Sequence, residues 1–527
     1  MKKVSQINWN RYKESESGKK AIQEFEKFLS CEMSPKEMYD VYAKYNPEFT
    51  QNFGKKEIEH SVGEIEMFRQ ILSDLLDNRD SDLNISPIDL FMYFIYAWSK
   101  TIEEKDWDLV NFFDTFNFVV EHPDKFDEMV DAIPEAPFKN MLSHIPAFSM
   151  ALSLRCGCFI PYFFVMQYAF FKQIVDKYEI ELPETDKRRY YYARCVYYLP
   201  VCMALTEFAL NNQLTQAELC AFLYDYELPV VKEEYFNEVK EMPKNPEQAW
   251  FLVGSYGDGE KNMEHGFWQA NELTARGDVM VFYEKSPKEA INSVWTAQAE
   301  GVVDPFFLFY SNTYIGNKIP IPEISFDELK QHPYFKNHSL VRKHFQGGSG
   351  WPMNSEDYRQ FLQILSEKGF DTSVLPQLYQ PNNYVTDQVA NEYDVYDKLL
   401  TPLLNDMGWE HGRDFEKEVE FKAGRGSSKR PDYCLHMKRN GEDICAKVII
   451  EAKYWMKNDK EIESNYHQAL SYAKWGNAKV LVICDKMQIR VYECDDNGEF
   501  NIKKWKRFRW EEMSNLDKFV ELKRLLS

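Results

Sequence analysis

The sequence predicts a multidomain α+β protein in which a helical region, a β-rich region and a mixed α/β region follow one another. Three observations predict this order. Apolar residues recur every three or four positions up to about residue 235, strand-like runs begin after Pro243, and helices and strands alternate from Thr386. A chain of 527 residues is also too long for one hydrophobic core, and its length suggests roughly two to four domains.

Residues 1–235 are expected to form an all-α bundle. Helical spacing of apolar residues covers the segments Ala21–Leu29, Ile65–Leu76, Leu90–Trp98 and Phe159–Tyr178. The apolar run Phe159–Phe171 is shorter than the roughly 20 residues that cross a bilayer, so we expect a buried helix and no membrane partner. Because no catalytic grouping is recognisable here, the region is expected to bind a partner protein or to act as a scaffold.

Residues 238–370 are expected to form a β-rich domain. Apolar or alternating runs at Ala249–Ser255 and Gly277–Tyr283 predict strands, and the segments near Pro287–Ala299 and Ser355–Leu365 predict helices. The stretch Asp371–Val385, which is rich in Pro and Asn, predicts a linker.

Residues 386–527 predict an α/β domain in which a helix, three strands, a helix and two strands follow in that order. The expected helices are Gln388–Met407 and Ile462–Trp475. The expected strands are Lys417–Phe421, Asp432–Met437, Ala446–Ala452, Lys479–Cys484 and Gln488–Glu493.

The charge distribution allows a nucleic-acid partner despite a net charge of −21. Residues 391–527 contain 25 Lys and Arg and 25 Asp and Glu, so the acidic excess lies entirely in the rest of the chain. The basic runs Lys422–Arg430 and Lys503–Arg509 can contact phosphates. No G-x-x-x-x-G-K-[ST] sequence is present, which argues against an NTP-driven motor.

The ten cysteines are scattered, and no pair has C-x-x-C spacing. Free thiols in a reducing compartment are therefore expected. The N-terminal residues have lysines but no apolar run behind them, so no signal peptide is expected. These two observations predict a cytoplasmic protein.

The strongest motif is Pro431-Asp432 followed on the next predicted strand by Glu451-Ala452-Lys453. Residues two apart on a strand point to the same face, so Glu451 and Lys453 share a face, and Asp432 can lie beside them if the strands form a hairpin. Two carboxylates supply hard oxygen ligands for Mg²⁺, and an adjacent lysine can act on a water or stabilise a phosphoryl charge. The alternative is that these are solvated strand-end charges in a salt bridge.

This pattern resembles the PD-(D/E)xK nuclease superfamily. The segment Glu392–Trp409 is similar to the opening helix of the N-terminal nuclease domains of type I restriction motor subunits, and Gln468-Ala-Leu-Ser-Tyr472 is similar to their Q-x-x-x-Y element. The resemblance implies a restriction-endonuclease-like fold over about residues 390–495. It implies Mg²⁺ as cofactor, with Mn²⁺ as a substitute, and Asp432 and Glu451 as its ligands. It also implies that Glu392, Gln468 and Lys453 complete the catalytic site.

The middle region resembles an EVE/PUA-like β-barrel, a family that reads modified bases or other nucleic-acid features. The segments Ala249–Gly254, Phe267–Asn271, Arg276–Tyr283, Ile291–Trp295 and Asp304-Pro305 carry this resemblance. The candidates for an aromatic cage around a flipped base are Trp250, Trp268, Tyr283 and Trp295, and Asp304 is the candidate that would accept hydrogen bonds from the base edge. The alternative is that these aromatics form the core of the barrel.

Together the two resemblances imply a modification-dependent, type IV-like restriction or antiviral defence enzyme. It would cut double-stranded DNA and act as a homodimer, because single-site nucleases of this fold cut one strand each. A second hypothesis is a defence effector nuclease activated by a partner or ligand, in which the barrel is an adaptor or an RNA binder. A third is a nucleic-acid-binding protein without catalytic activity.

Overall fold

The computed structural model describes residues 1–50, 53–77, 86–102, 135–184, 190–238, 245–255, 263–422, 428–440, 443–495 and 497–527. Its contacts divide the chain into two compact units. Unit 1 contains residues 1–244, 250–352 and 364–370, and unit 2 contains residues 245–249, 353–363 and 371–527. The predicted α+β architecture is confirmed at this level, with an N-terminal helical region, a central curled half-barrel sheet and a C-terminal mixed sheet with helices.

Thirteen α-helices lie in the described part of the N-terminal region. They are α1 (Gln6–Glu14), α2 (Glu16–Leu29), α3 (Pro35–Tyr45), α4 (Pro47–Thr50), α5 (Lys55–Asp77), α6 (Pro87–Ile102), α7 (Glu135–Ser143), α8 (Ile145–Ser153), α9 (Tyr168–Lys177), α10 (Tyr191–Val196), α11 (Tyr198–Asn212), α12 (Gln216–Ala221) and α13 (Leu228–Glu238). A π-helical turn, Phe222–Glu227, joins α12 to α13. The predicted helices around Ala21–Leu29, Ile65–Leu76 and Leu90–Trp98 are confirmed as α2, α5 and α6.

The predicted buried helix Phe159–Tyr178 is wrong in its first half, because only Tyr168–Lys177 is helical. Residues 159–164 are buried without regular secondary structure. Side chains of the surrounding helices bind their backbone groups instead. Tyr198 donates to the carbonyl of Ile160 at 2.6 Å, and Asn46 donates to the carbonyl of Phe163 at 2.9 Å. Such partners let a buried segment forgo helical hydrogen bonds.

One helical stretch, Tyr191–Asn212, is long and apolar enough to cross a membrane by length and composition among the described residues. Half of its most apolar window is buried inside the structure. Core helices of soluble proteins meet the same criteria, so the finding is weak support for a membrane span.

The central sheet joins seven strands in the described part of the chain: β1 (Ala249–Gly254), β2 (Gly266–Gln269), β3 (Val279–Glu284), β4 (Ala290–Ala297), β5 (Val302–Val303), β6 (Ser311–Ser325) and β7 (Trp351–Met353). Their order is β2-β6-β4-β3-β1-β7, with β5 also paired to β6. Short helices α14 (Phe326–Gln331) and α15 (Ser339–Arg342) follow β6.

The predicted helix near Pro287–Ala299 is wrong, because this segment is strand β4. The register between β4 and β6 shifts twice, between Ile291 and Ser293 and between Val294 and Thr296. Both Val294 and Trp295 are buried, although neighbours on a regular strand point to opposite faces. A strand buried on both faces lacks the alternation of apolar and polar residues that identifies a strand, which explains why the sequence favoured a helix here.

The loop that follows β5 packs into the hydrophobic core of the helical region in unit 1. Phe306, which follows β5, lies in the core cluster of the helical region, with its ring 4.6 Å from that of Tyr162. The buried guanidinium of Arg194 donates to the carbonyl of Pro305 at 2.9 Å and also to that of Phe307. These contacts fix the loop after β5 against helix α10.

Unit 2 is built around a six-stranded mixed sheet with the order β15-β14-β13-β12-β11-β8. Its strands are β8 (Phe415–Lys417), β11 (Tyr433–Asn440), β12 (Asp443–Ala452), β13 (Val480–Cys484), β14 (Gln488–Glu493) and β15 (Lys506–Arg509), and a separate pair is formed by β9 (Phe421–Lys422) and β10 (Ser428–Lys429). Strands β12 and β13 are parallel, and the other neighbours in this sheet are antiparallel.

Helices cover both faces of this sheet. They are α17 (Glu392–Asp394), α18 (Thr401–Asp406), α19 (Asp459–Trp475) and α20 (Leu516–Leu526), with a π-helical turn Val395–Leu400 between α17 and α18. Helix α16 (Ser355–Glu367) precedes them in the chain. Ile450 packs on one face with Leu399 and Phe519, and Ile449 packs on the other with Ala469 and Ala473 of α19. The predicted helix Gln388–Met407 is confirmed over Glu392–Asp406, where α17, the π-helical turn and α18 follow one another without a break. The sequence did not predict β15 or α20.

Candidate active site

Strands β11 and β12 bring Asp432 and Glu451 to the same end of a hairpin. The register pairs Tyr433 with Ile450, so Asp432, which precedes β11, lies opposite Glu451, the second-to-last residue of β12. The backbone N–H of Ala452 donates to Asp432 Oδ2 at 2.7 Å. This hydrogen bond holds the Asp432 carboxylate against the end of β12, beside Glu451.

The two carboxylate oxygens of Glu451 have different surroundings. The residue is 2% exposed. Its Oε1 accepts hydrogen bonds from Lys453 Nζ at 2.8 Å and from Gln468 Nε2 at 2.6 Å. Its Oε2 is buried and has no hydrogen-bond partner. Because a buried ionised oxygen without a partner is costly, this atom marks the position where a cation or a donor would be bound.

Lys453 lies at the centre of the group. Its ammonium donates to Glu451 Oε1 and, at 3.0 Å, to the carbonyl of Ala452, and it lies 3.6 Å from Glu392 Oε1. Glu392 comes from α17, the short helix that Asn391 caps. Gln468 comes from α19 on the face of the sheet that carries Ile449. The structure thus brings together all five residues that the sequence predicted for this site.

Burial and mutual repulsion raise the pKa values of both strand carboxylates. Burial, and then the charge of Asp432, raise the pKa of Glu451 to about 7, although Lys453 opposes this. Burial also raises the pKa of Asp432. Burial alone would lower the pKa of Lys453, but the charges of Glu451, Asp432 and Glu392 outweigh it and raise the pKa. The site therefore favours bound protons or another cation next to the two carboxylates.

The two strand carboxylates are hard oxygen ligands of the kind that Mg²⁺ takes in proteins. Within the described ranges, no group of three or more His, Cys, Asp or Glu side chains has the geometry of a metal site. Two carboxylates, Asp432 and Glu451, remain as ligands, and one oxygen of Glu451 is unpartnered. Mg²⁺ is commonly held by one or two carboxylates and keeps several waters, so this set suffices.

The sequence did not single out Tyr396, which joins two of the predicted residues. Its hydroxyl donates to Glu392 Oε1 at 3.3 Å and also hydrogen-bonds to Asp432. Burial raises the pKa of Tyr396 well above its usual value, so the hydroxyl stays protonated and acts as a donor. The spacing of four residues between Glu392 and Tyr396, which places them on one helix face, was the available signal.

The two basic runs have different positions. Lys503–Arg509 leads into and forms β15, the edge strand of the sheet, where Lys506 and Arg509 are exposed. Charged residues on an edge strand also prevent unwanted pairing with other strands. Most of the run Lys422–Arg430 lies outside the described residues, since 423–427 are not described and the side chains of its neighbours are not either.

Three of the proposed base-binding aromatics lie in the core of unit 1. Trp250 and Trp295 are buried, and their indole N–H groups donate to Asp278 at 2.7 Å and to Ser293 at 3.0 Å. The ring of Tyr283 stacks on that of Phe345, with the centroids 3.8 Å apart. A base could reach these rings only if the core opened. Their part in base binding stays a prediction.

Trp268 and Asp304 differ from these three. Trp268 is half-buried in β2, with its ring 5.1 Å from that of Phe282. Asp304 is fully buried, and it accepts a hydrogen bond from the backbone of Phe306 at 2.9 Å. Burial raises the pKa of Asp304 to about 7. Trp268 is therefore the candidate that keeps an accessible ring.

Comparisons with known proteins leave the family open. No protein family matches the chain, and no curated protein matches it. Among solved structures, the chain is similar to Rpa0253 from Rhodopseudomonas palustris, a structural-genomics target solved by NMR, at 14% identity. The match covers 23% of this chain and 94% of that protein, with a TM-score of 0.20. A score this low carries no argument about fold or function.

Proposed function

We propose that this protein is a Mg²⁺-dependent endonuclease that hydrolyses phosphodiester bonds in DNA, with Mn²⁺ able to replace Mg²⁺. The observation that carries the proposal is the grouping of Asp432, Glu451 and Lys453 at one end of the β11–β12 hairpin, with an unpartnered oxygen on Glu451. In fold terms, we propose that unit 2 is a restriction-endonuclease-like domain and that the central sheet is of the EVE/PUA-like type.

Asp432 and Glu451 would hold the metal ion. When bound, Mg²⁺ lowers the pKa of a coordinated water and neutralises charge on the scissile phosphate. Gln468 holds one oxygen of Glu451 in place, which leaves the other directed at the ligand position. Tyr396 positions Asp432 and Glu392 through its hydroxyl.

Lys453 is the residue that would act on the reacting groups. Its ammonium contacts Glu451 and the carbonyl of Ala452 and carries a raised pKa, so it is protonated near neutral pH. In that state it can donate to the attacking water or to a phosphate oxygen and stabilise negative charge as it develops.

The proposed biological role is modification-dependent restriction or antiviral defence in the cytoplasm. The central sheet would read a modified base, the nuclease would contact mainly phosphates, and two copies would cut the two strands. The burial of Trp250, Trp295 and Tyr283 favours a second candidate, an effector nuclease in which unit 1 binds a partner or a ligand and does not read bases.

A digestion panel tests the nuclease proposal. Plain DNA, DNA with modified cytosines and RNA are each incubated with the full chain in Mg²⁺ or EDTA. We expect cutting of DNA in Mg²⁺ only, and a loss of at least about 100-fold in Asp432→Ala and Lys453→Ala, since each removes a metal ligand or a charge stabiliser. Glu499→Ala, which changes an exposed carboxylate far along the chain from the motif, is the matched control.

Two results of this panel decide between the proposals. Undiminished cutting by both variants would remove the assignment of the site. A strong preference for modified DNA supports the reader hypothesis, whereas indifference to modification together with dependence on a companion protein supports the effector hypothesis.

A further inference from the structure

An exposed aromatic and basic surface adjoins the candidate active site. Trp455, two residues beyond Lys453, is 44% exposed, and Met487 in the turn between β13 and β14 is also exposed. The lysines Lys457 and Lys486 flank the indole ring of Trp455. We call the surface formed by Tyr454–Lys457 and Lys486–Met487 the Trp455 platform.

The platform is held rigidly at the end of the catalytic strand. Strands β12 and β13 are parallel, so the segments that follow them leave the same edge of the sheet. Lys453 donates its backbone N–H to the carbonyl of Cys484 at 2.8 Å, and Lys486 donates to that of Tyr454 at 3.1 Å. The segments that carry Trp455 and Lys486 are thus connected to each other and to Lys453.

Asp485 fixes the two segments further. Its buried carboxylate accepts hydrogen bonds from the backbone N–H groups of Met456 at 2.9 Å, Met487 at 2.8 Å and Gln488 at 3.1 Å. A surface held in this way loses little conformational entropy when a ligand binds. An exposed tryptophan on a rigid base is therefore well suited to bind a planar group.

The charges of the platform fit a polyanion. The ammonium of Lys486 lies 4.4 Å from the centroid of the Trp455 ring and 4.6 Å from that of Tyr454, and that of Lys457 lies 5.1 Å from the Trp455 ring. The ammonium of Lys486 also donates to the Tyr454 hydroxyl at 3.2 Å. The free energy of a cation–π contact at an exposed ring is smaller than that of a base stacked on the same ring. A base can therefore displace either ammonium from the indole, and the ammonium can then contact a phosphate.

We propose that the Trp455 platform binds an unpaired nucleotide next to the scissile phosphate, with the base stacked on Trp455 and the phosphates contacted by Lys457 and Lys486. This inference rests on the proposed nuclease function and names its substrate more closely. In a continuous duplex both faces of each base are covered by neighbours, so an indole finds a free face only at an unpaired or flipped nucleotide. The substrate is therefore DNA that carries a single-stranded segment or an unstacked base at the cut.

The test measures binding without cleavage. The affinity of the full chain in EDTA is determined by fluorescence anisotropy for a blunt duplex and for the same duplex with a single-stranded tail. We expect tighter binding of the tailed DNA by the parent. Trp455→Ala should lose about tenfold in affinity for the tailed DNA and little for the blunt one. Trp455→Phe should keep most of the affinity, because a phenyl ring also stacks.

Trp475→Ala is the matched control. Trp475 is 50% exposed and ends α19, next to Gly476, whose carbonyl accepts from Ala446 near the start of β12. It therefore lies at the end of β12 opposite to Lys453, and its replacement should leave both affinities unchanged. Lys486→Ala should weaken binding of both DNAs and reduce the dependence of affinity on salt.

Two outcomes would overturn the inference. One is equal affinity of the parent for the tailed and the blunt DNA. The other is a Trp455→Ala variant that binds the tailed DNA as tightly as Trp475→Ala does. The second result would indicate that the platform binds a protein. Since binding is measured in EDTA, Trp455-dependent binding without any metal-dependent cutting would support the platform while refuting the nuclease proposal.

Discussion

Glu451 shows how burial makes a single carboxylate costly for the folded protein. It is buried with one oxygen unpartnered, and the neighbouring Asp432 is also buried and acidic. Burial, and then the charge of Asp432, raise the pKa of Glu451 to about 7 despite the opposing positive charge of Lys453. Such clustering of perturbed groups is typical of sites that bind a ligand or act in catalysis.

The raised pKa of Glu451 predicts a pH dependence of stability in EDTA. Its folded-state pKa of about 7 exceeds the ordinary value of 4.5, so the folded protein binds more protons between these two pH values. The free energy of unfolding should therefore fall as the pH rises from about 4.5 to 7, by at most about 3 kcal/mol. Asp432, whose pKa is also raised, contributes in the same direction.

Urea unfolding of the full chain in EDTA at pH 5 and pH 7.5 checks this expectation. Glu451→Gln cannot ionise and should lose most of the fall, whereas Glu499→Gln, an exposed carboxylate, should keep it. An equal fall in the parent and in Glu451→Gln would show that Glu451 does not titrate in this range.

The sequence predicted the site residues that are close together in the chain better than those that the tertiary structure brings together. The period of two in a strand placed Glu451 and Lys453 on one face, and a hairpin then brought Asp432 to them. Gln468 and Glu392 were predicted only through the resemblance to a nuclease family. The platform lysine Lys486 was not predicted, because its place beside Trp455 depends on the parallel register of β12 and β13.

At the scale of single elements, the sequence located an amphipathic helix and a strand buried on both faces, and it failed at two other buried segments. Strand β12 and helix α19 were predicted within a few residues. The segment 159–164 and strand β4 were not, because the first is buried on every side and the second is buried on both faces. Buried segments of this kind lack the periodicity on which prediction depends.

Asp485 connects the segment that follows β12 with the turn between β13 and β14. Its replacement should therefore destabilise both segments. Its carboxylate accepts three backbone N–H groups and is almost fully buried. Asp485→Ala leaves these donors without their partner and should lower the free energy of unfolding by about 2–4 kcal/mol.

Asp485→Asn retains one acceptor oxygen and should have a smaller effect, and Asp387→Ala, an exposed aspartate in the same unit, should have almost none. Chemical denaturation of the three variants provides the measurement. If Asp485→Ala were as stable as Asp387→Ala, the two segments would not depend on this carboxylate.

At the scale of the whole molecule, the contacts of unit 2 extend beyond the boundary that the sequence predicted at residue 386. Tyr384 donates to Asp406 at 2.8 Å and is buried in the core of unit 2, and the backbone N–H of Asn382 donates to the same carboxylate at 2.9 Å. Ser355 donates to Asp517 at 2.8 Å. The stretch Asp371–Val385, expected to be a linker, therefore packs as part of this unit.

A fragment that begins at residue 353 should consequently be more stable than one that begins at 386. Residues 386–527 lack Tyr384 and Asn382, which leaves Asp406 without these donors and removes a buried aromatic ring, at a cost of about 3–5 kcal/mol. Thermal unfolding of the two fragments checks this. Equal melting temperatures would mean that the extra segment contributes nothing to unit 2.

The same longer fragment separates selection of a substrate from its cleavage. If unit 1 reads a modified base, fragment 353–527 should cut plain and modified DNA equally in Mg²⁺, while the full chain should prefer the modified DNA, because a nuclease that contacts mainly phosphates carries little sequence information of its own. The fragment with Asp432→Ala controls for contaminating nucleases. A fragment that keeps the preference of the full chain would place the discrimination within unit 2, where the exposed ring of Trp455 can contact a base.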